Sequence, residues 1–348
     1  MADELTLAEW DHMPARERQA HAKRLVRELP DGFAFQAIEA HKLGDRAHRM
    51  AMYSFHDATF VLIPGGEVTL GYDANRPWEP TPDEQESWRG TKEEYGIRGT
   101  IQKHIARATR RPKVAHLKPF LMETTADEIG WEAMPAEDPQ VTKIVRDPLL
   151  GKSLSGRWVT VFSGEGGGVR VRRLEDGGVH AERAEERTHA ELVDWLVKTG
   201  FRLPTSDEWE YACGAGAATL FRWGDHAPCD RYPIDISPAE AEWRRRWALS
   251  GGKLKYPCEG FASDWDLHRR PNAFGLFIAS DPYKCELVAE PGTTRGGDGG
   301  STICGGAGFF IGWLTLATAY FEKEACRHDP DEPIGMDYTI GRRVLPLG

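Results

Sequence analysis

The segment Gly200–Asp225, GFRLPTSDEWEYACGAGAATLFRWGD, constrains the fold of this 348-residue chain more tightly than any other stretch. Thr205 caps a helix whose first turn holds Asp207 and Glu208 near the positive end of the helix dipole. Trp209 and Tyr211 supply bulk for a core. No repeat of roughly 20–50 residues runs along the chain, which excludes solenoids and propellers.

Composition narrows the class further. Hydrophobic residues make up 40% of the chain beside 37 glycines, enough for a sizeable core and too many for wholesale disorder. The length suits one large domain or two ordinary ones. With 44 basic and 54 acidic side chains the net charge is −10, which argues against a sequence-independent nucleic-acid binder and leaves room for local basic patches. The best apolar run, Phe309 to Ala319, falls short of a membrane span, and the acidic start MADELTLAEW has no apolar core of a secretory signal. No membrane association is expected, and the cytoplasm is the expected compartment. Six cysteines (Cys213, Cys229, Cys258, Cys285, Cys304 and Cys326) show no CxxC spacing. Free buried thiols are the simplest assignment, with disulfides and metal ligation as alternatives.

Along the chain, Leu7, Trp10, Met13, His21, Leu25 and Val26 recur at helical spacing over Thr6–Leu29, and Phe33–His48 is expected as a companion helix. Met52–Phe55 and Phe60–Ile63 read as strands of a hairpin, resumed at Val68–Gly71 after Pro64-Gly65-Gly66. Residues 73–111 are polar and Pro-rich, the composition of a solvated loop with a short helix, or of a lid. Val114–Met122 is expected as a strand and Glu123–Glu128 as the start of a helix with a capping box. Residues 138–187 form a β-like insertion, in which Gly164–Gly168 lacks the Lys-Ser/Thr of a phosphate loop and fits a hairpin turn. Thr188–Lys198 is a capped helix ended by Gly200.

Arg202-Leu203-Pro204-Thr205-Ser206-Asp207-Glu208-Trp209-Glu210-Tyr211-Ala212, followed by Trp223-Gly224, resembles the signature of the formylglycine-generating enzyme, or sulfatase-modifying factor, family. Other landmarks fall in the family's order: Phe60–Gly71, Pro119–Thr125, Asn272–Phe277, Gly305-Gly306-Ala307 for its R-G-G-S strand, and Ile340–Arg343. The resemblance implies an α+β, C-type-lectin-like domain with much irregular structure over residues 50–348. Insertions lie near 73–111 and 138–187, and an N-terminal helical extension occupies 1–49.

In the family's oxidase two cysteines after the G-G-S strand bind copper(I), a soft ion suited to thiolates. Counted from Gly305, those positions fall at Phe310 and Thr315, so the resemblance implies a divergent member lacking the copper pair, and copper is not expected. The related iron-dependent sulfoxide synthases use three N-terminal histidines, a set that the spacing of His12, His21, His41 and His48 does not build. The family's calcium segment is altered by Lys284, although Asp281 and Glu286 offer oxygen ligands for calcium. Arg327–Pro333 reads as an acidic, solvated connection, and Glu208 and Glu210 fall on different helix faces. No G-x-S-x-G elbow anchors a triad.

What the resemblance leaves is a groove after Gly305-Gly306, with Phe309, Phe310, Trp313, Thr315, Arg327 and Arg343 as candidate ligand residues beside Tyr320, Phe321 and Arg342. Aromatics with arginine suit a binding hot spot, and a buried core strand over Phe309–Ala319 is the competing assignment. The expected function is a pseudoenzyme binding a peptide, protein or small molecule. The alternative is an oxygen-dependent oxidoreductase whose metal site is rebuilt without cysteine.

Overall fold

The computed structural model describes residues 5–347 except 129, 155–157, 163–167, 175, 252–253, 255–263, 322, 324–326 and 335–337. Cys258, Cys326 and most of the glycine run at 164–168 therefore lie outside the described residues. In chain order the chain begins with α1 (Leu7–His12), α2 (Ala15–Leu25), β1 (Phe33–Leu43), β2 (Arg46–Phe55), β3 (Ala58–Ile63) and β4 (Gly66–Leu70). It continues with α3 (Pro82–Tyr95), α4 (Ile101–Ala108), β5 (Lys113–Leu117), β6 (Phe120–Glu123), β7 (Trp131–Met134), α5 (Pro139–Arg146) and α6 (Leu150–Ser153). Next come β8 (Val159–Phe162), β9 (Gly168–Arg173), β10 (Val179–Ala184), α7 (His189–Lys198), α8 (Ser206–Gly214) and α9 (Pro238–Leu249). The remainder holds β11 (Cys285–Leu287), β12 (Thr294–Arg295), α10 (Ser301–Cys304), α11 (Phe309–Leu314), β13 (Thr339–Ile340) and β14 (Val344–Pro346).

Thr6 opens α1 with a reciprocal cap: its hydroxyl accepts from the Glu9 amide at 3.2 Å while the Glu9 carboxylate accepts from the Thr6 amide at 2.9 Å. The single helix expected over Thr6–Leu29 is interrupted at Pro14, whose ring and missing N–H cannot continue α1. Phe33–His48 is not helical. It forms β1 and the first part of β2, an antiparallel pair with Phe33 opposite Phe55 and Leu43 opposite Arg46. Helix formers such as Ala, Gln, Glu and Lys suggested otherwise, but pairing with β2 and the buried face of the sheet outweigh a propensity of a few tenths of a kcal/mol per residue. Gly44, in the β1–β2 turn at φ +60°, lies so close to the main chain of Trp223 that an added Cβ would sit 2.9 Å from its carbonyl oxygen.

The main sheet runs β1-β2-β3-β6-β14, and β4 pairs with β5 beside it. Met50, Tyr53, Phe60, Leu62, Leu121 and Val344 from these strands join Trp10, Ala22 and Leu25 from α1 and α2 in one hydrophobic core. Leu192 and Leu196 of α7 and Trp209 and Ala212 of α8 complete it. As expected, Thr188 and Thr205 cap α7 and α8, each with a capping box to the acid three residues on. Glu208 also takes both ends of the Arg202 guanidinium at 2.7 Å. Asn272 explains the motif it opens: its amide donates to the Ala212 and Cys213 carbonyls at 2.6 and 3.0 Å, satisfying the C-terminal end of α8, while its oxygen accepts from the Phe274 and Leu276 amides. Gly275 of the same motif has φ +85°, and a Cβ there would come within 2.7 Å of the His41 ring.

Three further expectations are corrected. Residues 73–111 are not a solvated excursion, because Trp88, Ile101, Ile105 and Ala108 on α3 and α4 build a second core with Phe310, Ile311, Trp313 and Leu314 of α11. The chain at Glu123–Glu128 is not a helix: the Thr124 amide and hydroxyl both donate to the Thr59 carbonyl, and Thr125 and Asp127 bridge to Phe277 and Gly341. Phe309–Ala319 is not a strand, since α11 and the turns after it occupy the stretch. Within the insertion, β8 and β9 pair antiparallel as a hairpin, in a separate sheet ordered β7-β10-β9-β8. Its Val169, Val171 and Ala181 meet Val141 and Ile144 of α5 in a third cluster. No helix among the described residues is long and apolar enough to cross a membrane.

The second core holds a titrating ring. His268 is 1% exposed, packs edge-on against Trp313 with ring centroids 5.0 Å apart, and its carbonyl accepts from Arg222. Burial, followed by the charges of Arg269 and Arg222, pushes its pKa down to about 3; burial and Arg107 push buried His104 down to about 4. The unfolded rings take up protons near pH 6.5 while the folded rings stay neutral, so the unfolded state binds more protons and stability falls as pH drops from 6.5 towards 3–4. Moving from pH 7.5 to 5 is expected to cost about 2 kcal/mol from each ring. Urea unfolding of the wild type and His268→Asn at the two pH values checks this: the variant should show the smaller pH dependence.

Candidate functional site

The residues expected to form a groove are not brought together. Phe310, Trp313 and Thr315 are at most 1% exposed within or against the second core, and Tyr320 is buried with them. The groove assignment is corrected for these side chains, because α3 covers α11: the Ser87 hydroxyl accepts from the Phe310 amide at 2.9 Å and the Thr91 hydroxyl donates to the Ala307 carbonyl at 2.7 Å. Phe309 is half-buried with its ring against Tyr232, and Arg327 is exposed on a bridge to Thr293. Arg343 lies elsewhere, paired with both oxygens of Glu123 at 2.8 and 2.9 Å and stacked on Phe60 and Phe201.

Asp281 and Glu286 do line one cavity, of about 260 Å³. Glu286, however, accepts from Arg342 through both oxygens at 2.7 and 2.8 Å and from the Trp209 indole at 2.9 Å. A carboxylate neutralised by a fully buried guanidinium is not available to a hard cation, so Glu286 is corrected from calcium ligand to counterion. Asp281 accepts from the Tyr283 amide at 2.9 Å. This pair does not fit a calcium cage of six or more oxygens.

The strand expected at Gly305-Gly306 is also displaced. Those glycines follow the short helix α10, whereas β12 carries Thr294-Arg295 and is followed by Gly296-Gly297. Cys304, the last residue of α10, is exposed with its Sγ 3.3 Å from the Tyr283 hydroxyl. Burial pushes the Cys213 and Cys285 thiols up to about 11, and pushes Cys229 up as well, so all three stay protonated near neutrality. Among the described residues, no three His, Cys, Asp or Glu side chains converge in a metal-ligating group.

What the fold does assemble is a charged cleft on both sides of the Thr125–Glu128 loop. One side, about 590 Å³, is lined by Asp57, Glu123, Trp131, Arg170, Trp195 and Arg343; the other is the smaller cavity of Asp281 and Lys284. Side chains alternate across β9, so Val169 and Val171 pack towards α5 while Arg170 points to the opposite face. There its guanidinium lies between the rings of Trp131 and Trp158, 4.6 and 4.5 Å from their centroids, and Nε donates to Glu182 at 2.5 Å. Glu128 is held by the Trp131 indole at 3.2 Å, Lys284 at 3.3 Å and Arg170 at 3.6 Å.

Every cation of the cleft is thus matched: Arg343 by Glu123, Arg342 by Glu286, Arg170 by Glu182 and Lys284 by Glu128. Burial alone would lower the pKa of Arg343, but Glu123 and the fields of Asp57 and Asp127 raise it instead. The acids are in excess. The Asp127 side chain is 74% exposed and only 3.9 Å from Arg170 at its nearest, and among the described residues no cation pairs with Asp57 or Asp281. Sequence reasoning missed Asp127, Glu128, Arg170, Trp131 and Trp195. The alternation Val169-Arg170-Val171 was the available signal that one face of the insertion strand is charged.

Fold and cleft together define a mixed α+β domain, helical and stranded in comparable measure, whose open surface is a charged cleft. Residues 170–278 match the family model of the sulfatase-modifying factor enzyme 1-like domain. The matched region runs from Arg170 in the cleft wall through α8 to Ile278. No curated protein matches the chain.

Proposed function

We propose that the chain is a binding member of the sulfatase-modifying factor family, working without copper–cysteine catalysis, and that the cleft around Thr125–Glu128 receives a positively charged ligand such as a Lys- or Arg-bearing peptide. The observation that carries this is the mismatch of charge: four cations, each paired with a glutamate, stand beside three further carboxylates, Asp57, Asp127 and Asp281, none of which is hydrogen-bonded to a cation among the described residues. Between low-dielectric walls such an excess attracts cations and raises their local concentration. The exposed Phe277 adds an aromatic face on which a guanidinium or ammonium can rest. The two cavities meet at the loop, so an extended ligand can span both.

The test uses a hexalysine peptide and a hexaglutamate peptide in parallel calorimetric titrations of the full chain. Hexalysine is expected to bind and to weaken as salt rises, and hexaglutamate not to bind. Asp127→Lys should weaken hexalysine binding about tenfold or more, with circular dichroism checking that the variant, which loses the bond from the Glu128 amide at 2.7 Å, is folded. Equal binding of the two peptides, or an Asp127→Lys variant that binds hexalysine as well as the wild type, would overturn the proposal. Stoichiometric copper or iron in the purified protein would favour the oxidoreductase alternative instead.

A further inference from the structure

The insertion contains a second cavity, at the end of its sheet beside α5 and α6, which shares no lining residue with the charged cleft. Its volume is about 500 Å³, within the roughly 300–1,000 Å³ typical of small-molecule sites. Ile144 of α5, Leu150 of α6, Val161 and Phe162 of β8 and Val169 of β9 form apolar walls. Two of these remain in contact with water, Phe162 at 55% and Val161 at 37% exposure, an unusual cost for side chains that line a concavity.

The polar groups in the lining are few and their charges do not cancel. Asp147 spends its carboxylate on its own turn, accepting from the Leu149 and Leu150 amides at 2.8 and 2.9 Å, bonds that hold its pKa below the usual carboxylate range. Arg183 reaches Asp138 and Gln140 only at 3.4 and 3.5 Å. Lys143 is exposed, lines the cavity, and has no carboxylate within ion-pair distance among the described residues. An apolar chamber with an uncommitted ammonium and a loosely held guanidinium at its wall is complementary to an apolar body ending in an anion.

We propose that this cavity binds an apolar monocarboxylate, a fatty or aromatic acid, with its hydrocarbon against Phe162 and Ile144 and its carboxylate between Lys143 and Arg183. Burying the hydrocarbon removes Phe162 and Val161 from water, and the carboxylate supplies the missing counterion.

Decanoate is the probe, with decyltrimethylammonium as a control of equal chain length and opposite charge, each titrated calorimetrically into the full chain below its micelle concentration. Decanoate is expected to bind one to one and the cationic control at least tenfold more weakly. Lys143→Glu should weaken decanoate about tenfold, and Val161→Trp, which fills the chamber from its exposed wall, should abolish binding. Asp127→Lys, in the other cleft, should leave decanoate binding unchanged, so failure here is distinguishable from failure of the peptide-binding function. The proposal is overturned if decanoate does not bind, if the two amphiphiles bind alike, or if Lys143→Glu and Val161→Trp both bind as the wild type does. It is equally overturned if sedimentation shows a dimer that Val161→Trp dissociates, since a second copy would then cover the apolar wall.

Discussion

Glu286→Ala is expected to lower the unfolding free energy by about 3–5 kcal/mol, the usual cost of leaving one member of a buried ion pair without the other. Glu286 is 2% exposed and the Arg342 side chain is fully buried. Removing the carboxylate would leave the guanidinium with only the Glu123, Thr124 and Phe277 carbonyls, and the Trp209 indole with no acceptor. The pair also ties β11 to the segment before β14, so its loss acts on two sheets at once. Urea denaturation monitored by tryptophan fluorescence measures the change. The double variant Glu286→Ala with Arg342→Met should recover much of the loss, because a buried pair replaced on both sides no longer strands a charge. A single-variant loss below about 1 kcal/mol would mean that the pair is solvated like a surface bridge, and the counterion role assigned to Glu286 would fail.

Trp10→Ala should have an effect of similar size, about 3–5 kcal/mol, the range for truncating a large aromatic in a core. Trp10 is fully buried, donates from its indole to the Arg49 carbonyl at 2.7 Å and carries the Arg18 guanidinium 5.6 Å from its ring centroid. It belongs to the same cluster as the central strands. The whole molecule should therefore unfold earlier in urea, and trypsin should cut first between α2 and β1. If α1 and α2 were only a loosely attached extension, the variant would be cut there with no fall in global stability.

What could be read from the amino acids was whatever depended on neighbours in the chain. The caps of α7 and α8 need only a threonine and an acid three positions apart, and both stand where expected. The hairpin of β2 and β3 likewise follows from β-formers around a short turn. The errors arose where distant parts decide. The cap-like Thr124-Thr125-Ala126-Asp127-Glu128 was drawn into bridges with Phe277 and Gly341. The polar stretch at 73–111 kept just enough apolar positions, Trp88, Ile101 and Ile105, to cover α11, and that cover hides the aromatic run expected to line a groove. The charged cleft was invisible for the same reason, since Arg170, Glu128, Lys284 and Arg343 meet only after three separate sheets have formed.

The placement of β14 sets a timetable for biosynthesis. Val344, Leu345 and Pro346 pair with Met122, Leu121 and Phe120, so one side of β6 stays open until the ribosome has delivered a segment far downstream. Until then the nascent polypeptide displays an apolar strand with free amides and carbonyls, the template on which chains join one another. Products interrupted before Val344 should accumulate as insoluble material or remain with chaperones, and the yield of native protein should depend on how well that edge is shielded during translation.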